Sequence, residues 1–502
     1  MNIMMLLEMA TTDDGGRIAV GPADGGWTRQ ELLHRAGVGA DLLRGAGARE
    51  VVYLGGGAAF PAALFAAAWA GIPFIPLNYR LGADQLNDLL RRHPAAAVLA
   101  DDAGALPRTW GTGEWLARTA VHENPAGEPW LWDPDPDVPA VVLYTSGTSA
   151  RPKAALLRHR HLLSYLLGSV EFAAAGADEA VLVSVPPYHI AGVSNLLSNI
   201  YAGRRLVYLD SFTPWAWLDT VRSQRVTHAL VVPTMLARIV DHLGAAGGVA
   251  SVPTLRSLAY GGAVMPRPVL ERAMRTFPGT DFVNAYGLTE TSSTIAVLGP
   301  EDHRAALSGD PVAGERLGSV GRLLPGVEAQ VRAADGTVAP VGTSGLVFVR
   351  GEQVSGEYGE LGSTLDAQGW FATRDRGRLD GDGYLFVEGR ADDTIIRGGE
   401  NIAPEEIEDV LLRHDAVAQA AVVGVPDEEW GQDIVAVVVP RAGATVTEAE
   451  LREWAKGRLR TSKTPARVVF TDELPQTPTG KLLRRQVLAD LLERAAEQLE
   501  VS

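Results

Sequence analysis

Residues 144–153 read Tyr-Thr-Ser-Gly-Thr-Ser-Ala-Arg-Pro-Lys, straight after the apolar run Val141-Val142-Leu143. Small residues and hydroxyls stand beside a lysine just beyond a strand. That composition suits an oligophosphate: backbone N–H groups can approach closely, hydroxyls donate, and the lysine supplies charge. The Gly-x4-Gly-Lys spacing of the common phosphate loop is absent. Taken alone, the segment also reads as a flexible surface turn.

Three distant stretches decide between the two. Asn284 to Thr291 reads Asn-Ala-Tyr-Gly-Leu-Thr-Glu-Thr. Gly389 to Glu408 reads Gly-Arg-Ala-Asp-Asp-Thr-Ile-Ile-Arg-Gly-Gly-Glu-Asn-Ile-Ala-Pro-Glu-Glu-Ile-Glu. Leu474 to Leu482 reads Leu-Pro-Gln-Thr-Pro-Thr-Gly-Lys-Leu. In this order the four motifs resemble the adenylate-forming superfamily of acyl-CoA ligases, amino-acid adenylation domains and beetle luciferases. The resemblance covers nearly the whole chain.

The patterning around the motifs predicts an α/β fold. Thr28 with Glu31 is a capping-box start for a helix running toward Gly45. Val51–Leu54 and Phe74–Leu77 read as buried parallel strands around a helix near Ala62–Ala70. Val51 to Tyr79 carries no charge and is long enough for a membrane span. Gly55–Gly57, Pro61, Pro73 and Pro76 break it into strand, helix and strand, so no membrane segment is expected. Further strands are expected at Ala97–Leu99, Val141–Leu143, Val181–Val183, Leu206–Leu209, Leu230–Val232 and Phe282–Val283, mostly with helices between them. Ala103 to Val138, rich in Pro, Gly and Trp, reads as a long connection.

After about Gly299, short strands and Gly-rich turns suggest a small β-barrel-like subdomain. Asp380-Gly381-Asp382-Gly383 reads as a hairpin turn, because no glutamate stands at the spacing of a calcium loop. From Asp392 a compact α+β pattern begins, with helices at Pro404–Arg413 and Glu448–Leu459 and strands at Ala420–Val423 and Ile434–Val439. The expected division is a large N-terminal acyl- and nucleotide-binding domain, 1–391, and a small mobile C-terminal lid domain, 392–502.

Composition narrows the function. A net charge of −16 argues against nucleic acid or an anionic membrane as general partner. The absence of cysteine excludes disulfides and a covalent enzyme thioester, so any thiol must come from a ligand. Met1 to Ala10 is apolar but short and lacks a basic start, which makes a poor signal peptide. A cytoplasmic protein is expected.

The resemblance implies ATP, Mg²⁺ and coenzyme A as ligands. Thr145, Ser146, Thr148 and Lys153 would hold the β- and γ-phosphates. Tyr286 would pack on adenine, Thr289 would touch the α-phosphate, and Glu290 would bind Mg²⁺. Asp375 and Arg390 resemble a ribose-binding pair, although Arg374 departs from the usual small residue before the aspartate. Lys481 would reach the acid's carboxylate and the α-phosphate, stabilising charge as the carboxylate attacks phosphorus. His189 resembles an aromatic gate beside the acyl pocket; a core histidine is the alternative. Gly261 and Gly262 would let the backbone approach acid and adenine. Gly399 would lie against the pantetheine arm, Trp430 could stack on the coenzyme A adenine, and Arg80, Lys463 and Arg467 are candidates for its phosphates. Asp392 matches the hinge.

Amino-acid-activating relatives place an aspartate after the position of Pro186 to pair with the substrate's ammonium. None stands between Pro186 and Asn199, which disfavours an amino acid. The phosphate loop also departs from the family, with Ser149 for threonine and Ala150 and Ala154 for glycines. The leading expectation is an acyl-CoA ligase acting on a non-amino carboxylic acid. One alternative is a partial enzyme that only thioesterifies an acyl-adenylate made by a separate adenylating enzyme. Another is an acyl-adenylate ligase that loads a carrier protein.

Overall fold

Two large sheets carry most of the chain in the computed structural model, which describes residues 1–101, 109–120, 130, 134–145, 152–245, 248–397, 400–427, 430–477 and 481–500. The first has eight strands. At its centre Glu50–Leu54 pairs in parallel with Phe74–Pro76 and Ala96–Ala100, and Val141–Thr145 follows Phe74–Pro76. These runs are continuous and apolar because helices cover both faces of the sheet. Ala59–Ala70 is buried almost all round, as an alanine-rich helix without a polar face must be. At 12 residues it is about 18 Å long, too short to span a bilayer. No helix among the described residues is long and apolar enough to cross a membrane.

The second sheet has nine strands. Ala180–Val183, His228–Val231, Ser257–Gly261 and Asp281–Leu288 run in parallel, and Ser293–Leu298 turns back antiparallel to the last. The capping box is present: Glu31 N donates to Thr28 Oγ1 at 3.1 Å, and Thr28 N donates to Glu31 at 2.7 Å. Losing such a cap costs about 1 kcal/mol. Within the stretch read as a connection, the described residues include a strand, Trp110–Gly111, and a helix, Thr112–Thr119. Its Trp115 is fully buried against Gly39, where an added Cβ would come within 2.7 Å of the indole. Eight residues between glycines and prolines hold too few turns to show a helical period.

The barrel-like region is a four-stranded antiparallel sheet ordered Glu328–Arg332, Gly345–Arg350, Phe371–Leu379, Leu385–Arg390. Beyond it, Val417–Asp427, Gly431–Pro440 and Arg467–Phe470 form a separate three-stranded sheet with its own apolar core. This C-terminal unit meets the large one along a polar seam. Arg441 pairs with Asp241 at 3.5 Å, and Arg272 pairs with the same carboxylate at 3.1 Å. Asp409, on the helix Pro404–Leu412, lies close to Arg267 at the start of Arg267–Thr276, and burial there raises its pKa to about 6. A cleft of about 470 Å³ lies along the seam, with Arg267, Arg272, Arg275, Arg413 and Arg441 among its walls.

Candidate active site

The strand Phe371–Leu379 does not run straight. Ala372 faces Phe348 and Arg376 faces Leu346, so three residues, Thr373 to Asp375, stand opposite Val347 alone. This is a β-bulge, which bends the strand and re-aims a side chain. Arg374 adopts a φ of +63° to make it. Asp375 consequently turns inward and is only 4% exposed. Its carboxylate accepts from the Tyr286 hydroxyl at 2.5 Å and from Arg390 at 2.8 Å. Asp375 N donates to Thr373 Oγ1 at 3.1 Å. Burial, then the neighbouring Asp375, raises the Tyr286 pKa well above its ordinary value, so the phenol stays protonated and keeps donating. Asp375 pairs with Arg390 rather than with the adjacent arginines of its own strand.

Glu290 follows the strand Asp281–Leu288 in a short 3₁₀ turn, Thr289–Thr291. Its carbonyl accepts from Ser355 N at 2.8 Å, and its carboxylate accepts from the Tyr358 hydroxyl at 2.5 Å. Tyr358 pairs with Ala155 of the strand Lys153–Leu157, which brings the end of the phosphate-loop motif to this corner. The Lys153 ammonium lies 5.6 Å from the centre of the Tyr358 ring. Thr145 faces Lys153 across the loop's base. Ser146, Thr148, Ser149 and Ala150 lie outside the described residues.

Ala154 lies in the strand Lys153–Leu157, beyond the loop. It is an ordinary strand residue, absent from the described non-glycine residues with positive φ. Its methyl is 7% exposed and packs with Val142 and Ile75 in an apolar cluster. A glycine's conformational freedom is not needed there.

Lys481 enters the same space from the C-terminal unit. Its backbone is tied to Thr477 by two hydrogen bonds, of 2.7 and 2.9 Å. Its side chain is reached by solvent, yet enough protein surrounds it for desolvation to lower its pKa; Arg390 lowers it further, while Asp375, Asp393 and Glu290 oppose the shift. Lys481 thus stands among the groups of both preceding corners. Burial, then Lys481 and Arg80, brings His189 down to about 4, leaving it neutral at pH 7. Its ring packs against Tyr188 at 4.8 Å, and Tyr188 meets Tyr79 at 5.3 Å.

Arg484 stands three residues beyond Lys481, outside the lysine motif. It pairs with Glu405 at 2.7 Å, with Glu408, and with Asp393 at 3.5 Å, tying the lysine segment to the helix Pro404–Leu412. One arginine in a tail with others carries no sequence signal for that role. The two glycines are constrained by backbone: a Cβ on Gly261 would come within 2.2 Å of the Ala285 carbonyl, and Gly262 has a φ of +83°.

The residues assigned to coenzyme A are not all together. Arg80 lies beside Tyr79 and acts electrostatically on His189. Trp430 is exposed on the C-terminal unit with Arg397 stacked over it at 5.4 Å. Lys463 pairs with Glu406 at 2.5 Å, and Arg467 starts an outer strand. Gly399 lies outside the described residues. Asp392 sits in the turn Ala391–Asp393, between the four-stranded sheet and the C-terminal unit.

No group of three or more metal-ligating side chains occurs among the described residues. A magnesium ion held largely by phosphate oxygens needs only one or two carboxylates. Glu290 fits that demand, with one carboxylate oxygen bound by Tyr358.

Known proteins resemble both the sequence and this arrangement. The model of the AMP-binding enzyme family matches residues 7–359, and that of the AMP-binding enzyme C-terminal domain matches residues 406–481. A feruloyl-CoA synthase from Amycolatopsis sp is 36% identical over 92% of this chain and 93% of its own. An indoleacetate–CoA ligase from Aromatoleum aromaticum is 32% identical over 85% of each. The solved o-succinylbenzoate CoA synthetase from Bacillus subtilis, in complex with its acyl-adenylate intermediate, superposes with a TM-score of 0.82 at 29% identity, covering 96% of this chain and 97% of that one. Sequence and fold agree: the chain belongs to the AMP-binding enzyme family, in its adenylate-forming acyl-CoA ligase branch.

Proposed function

We propose that this ligase activates a carboxylic acid bearing an aromatic ring and no amino group, as an acyl-adenylate, and passes the acyl group to coenzyme A. The observation that carries the reading is the bonded cluster of Tyr286, Asp375 and Arg390, with Lys481 of the C-terminal unit near enough to feel the charges of Arg390, Asp375 and Glu290. Asp375 and Arg390 hold the ribose, Tyr286 flanks the adenine, and Thr289 meets the α-phosphate. Thr145, Ser146, Thr148 and Lys153 take the outer phosphates. Glu290 would hold the magnesium ion, which neutralises phosphate charge. Lys481 draws the substrate carboxylate toward the α-phosphorus and stabilises the added negative charge. Neutral His189 borders the acyl group without adding a charge beside Lys481.

Residues 1–391 act as the body and 392–502 as a lid turning about Asp392. The turn replaces Lys481 with the loop of Gly399 for the second step and brings Trp430, Lys463 and Arg467 toward Arg80 to receive coenzyme A. Such a movement completes one site as it dismantles the other. The aromatic acid is supported by relatives whose own names give feruloyl, indoleacetate and 2-succinylbenzoate as acyl groups, at 36%, 32% and 34% identity. The need for ATP and coenzyme A supports a cytoplasmic site of action.

The test offers the purified chain Mg-ATP and coenzyme A with ferulate, indoleacetate, 2-succinylbenzoate or a straight-chain fatty acid. Pyrophosphate and thioester are measured together. Both should appear with an aromatic acid. Thioester from the fatty acid alone would refute the substrate class. Thioester from a supplied acyl-adenylate, with no pyrophosphate from any acid, would refute the complete ligase.

A further inference from the structure

Lys153 is held by its backbone on both sides. Arg92 Nη1 donates to the Pro152 carbonyl at 3.3 Å, and Ala154 N donates to Glu360 Oε2 at 3.3 Å. These groups belong to the two peptide units that flank Lys153. The residues that grip them are themselves paired, Arg92 Nη1 with Glu360 Oε1 at 3.4 Å.

The pair adds little to stability. Its side chains are 33% and 47% exposed, and water solvates charges so placed about as well as they solvate each other. Each partner is fixed by the segment it comes from. Arg92 follows the helix Ala83–Leu90, with its guanidinium 5.6 Å from the centre of the Tyr144 ring. The next residue, His93, bonds the Tyr144 hydroxyl at 2.8 Å and Glu50 at 3.0 Å. Tyr144 and Thr145 are the ladder partners of Ala154 and Lys153, so the same turn braces the strand opposite the lysine. Glu360 lies in the hairpin between Glu357–Tyr358 and Gly362–Ser363. That hairpin also carries Tyr358, whose ring centre is 5.6 Å from the Lys153 ammonium and whose hydroxyl donates to Glu290 at 2.5 Å. One short hairpin thus meets the lysine at its backbone and at its ammonium.

We propose that Arg92 and Glu360 are positioning residues for Lys153: by fixing its two peptide units they aim its ammonium at the outer phosphates of ATP. The proposal rests on the adenylation reading above, in which Lys153 meets those phosphates. A lysine is a point charge on a flexible stem, so its direction is set first at the backbone. A charge about 1 Å out of place loses much of its effect on a reacting group. Glu360 makes the distinction sharp. By charge alone a carboxylate repels phosphate, so its loss would tighten ATP binding. As a positioning residue its loss should weaken that binding.

The native protein, Glu360→Ala, Glu360→Gln, Arg92→Ala, Lys153→Ala and the double variant Lys153→Ala/Glu360→Ala are compared. Calorimetry gives Mg-ATP and AMP affinities, thermal unfolding gives the midpoint, and pyrophosphate release is followed with the acids named above. Glu360→Ala and Arg92→Ala should each weaken Mg-ATP binding about tenfold, a coupling usual within one bonded network. AMP affinity and the midpoint should stay near native. Glu360→Gln, whose amide oxygen still accepts from Ala154, should recover most of the loss. In the Lys153→Ala background, Glu360→Ala should weaken Mg-ATP binding no further. Mg-ATP bound as tightly or more tightly by Glu360→Ala, or an equal further loss in the double variant, overturns the proposal. Lys153→Ala binding Mg-ATP as the native protein does would refute the phosphate role of Lys153, and the proposal with it. No pyrophosphate from the native protein with any acid would refute the adenylation reading, and calorimetry would still decide the positioning.

Discussion

At the Asp375 corner, three polar groups are already bonded to one another, whereas at the Lys481 corner an ammonium waits among charges with its backbone tied and its side chain in reach of solvent. The first corner is built into two sheets of the large unit, by Tyr286 on one and by Asp375 and Arg390 on another. The second is delivered by a short segment anchored through Arg484. A preformed corner suits a ligand group that is held throughout. A delivered corner suits a charge needed for one step and then withdrawn.

The largest expected effect tests the delivered corner. Lys481→Ala should lower pyrophosphate release by about 10²–10³-fold, the usual loss for one aimed charge donor. Thioester formation from a supplied acyl-adenylate should be largely retained. Equal losses in both steps would erase the distinction between the corners.

Next comes the preformed corner. Asp375→Asn keeps the shape and removes the charge that both Tyr286 and Arg390 use. Hydrogen bonds to charged groups contribute about 1.5–3 kcal/mol each. The KM for ATP should rise about tenfold or more, with the unfolding midpoint lowered as well. An unchanged KM with a lower midpoint would reduce Asp375 to a structural brace.

The frame behind the corners has a pH signature. His159 and His161 each accept a backbone N–H at Nδ1, from Ile3 at 3.2 Å and Arg158 at 3.3 Å, and burial lowers both to about 4. An unfolded chain takes up these protons near 6.5, so it binds more protons than the folded one between about 4 and 6.5. Stability contributed by neutral histidine is therefore lost as pH falls through that window, by about 1.4 kcal/mol per pH unit for each. His159→Asn, whose amide oxygen can still accept, should flatten the slope of urea-unfolding stability against pH by that amount. A parallel slope would mean that His159 already protonates in the fold.

The smallest effect concerns Ala154. Because the residue is an extended strand position, Ala154→Gly should destabilise by about 0.5–1 kcal/mol and leave ATP-dependent activation as it was. Faster pyrophosphate release in this variant would show that position 154 needs a glycine's freedom after all.

The strands were legible because Val51–Leu54, Val141–Leu143 and Val181–Val183 are short apolar runs bounded by turns, and buried parallel strands need no more. The motifs pointed to the corners because they hold Tyr286, Glu290, Arg390 and Lys481, whereas Asp375 lies in none of them. The Arg374 bulge was not legible, since it exists only as a mismatch of register between two strands far apart in sequence. Arg484 was hidden likewise, because its carboxylate partners lie 76 and 79 residues away. Sequence pattern reports which face a residue prefers; it does not report what a distant strand brings to that face.

The seam around Asp241 and Asp409 has a mechanical meaning. Two units joined by apolar surface would expose it on parting, at about 25 cal/mol for each Å². Here the contacts include the shared carboxylate of Asp241 and a cleft walled by arginines, groups that water solvates well. Separation exchanges one set of polar partners for another at little net cost. Such a joint suits a latch rather than a weld: it could be released and re-engaged without either unit losing its own core.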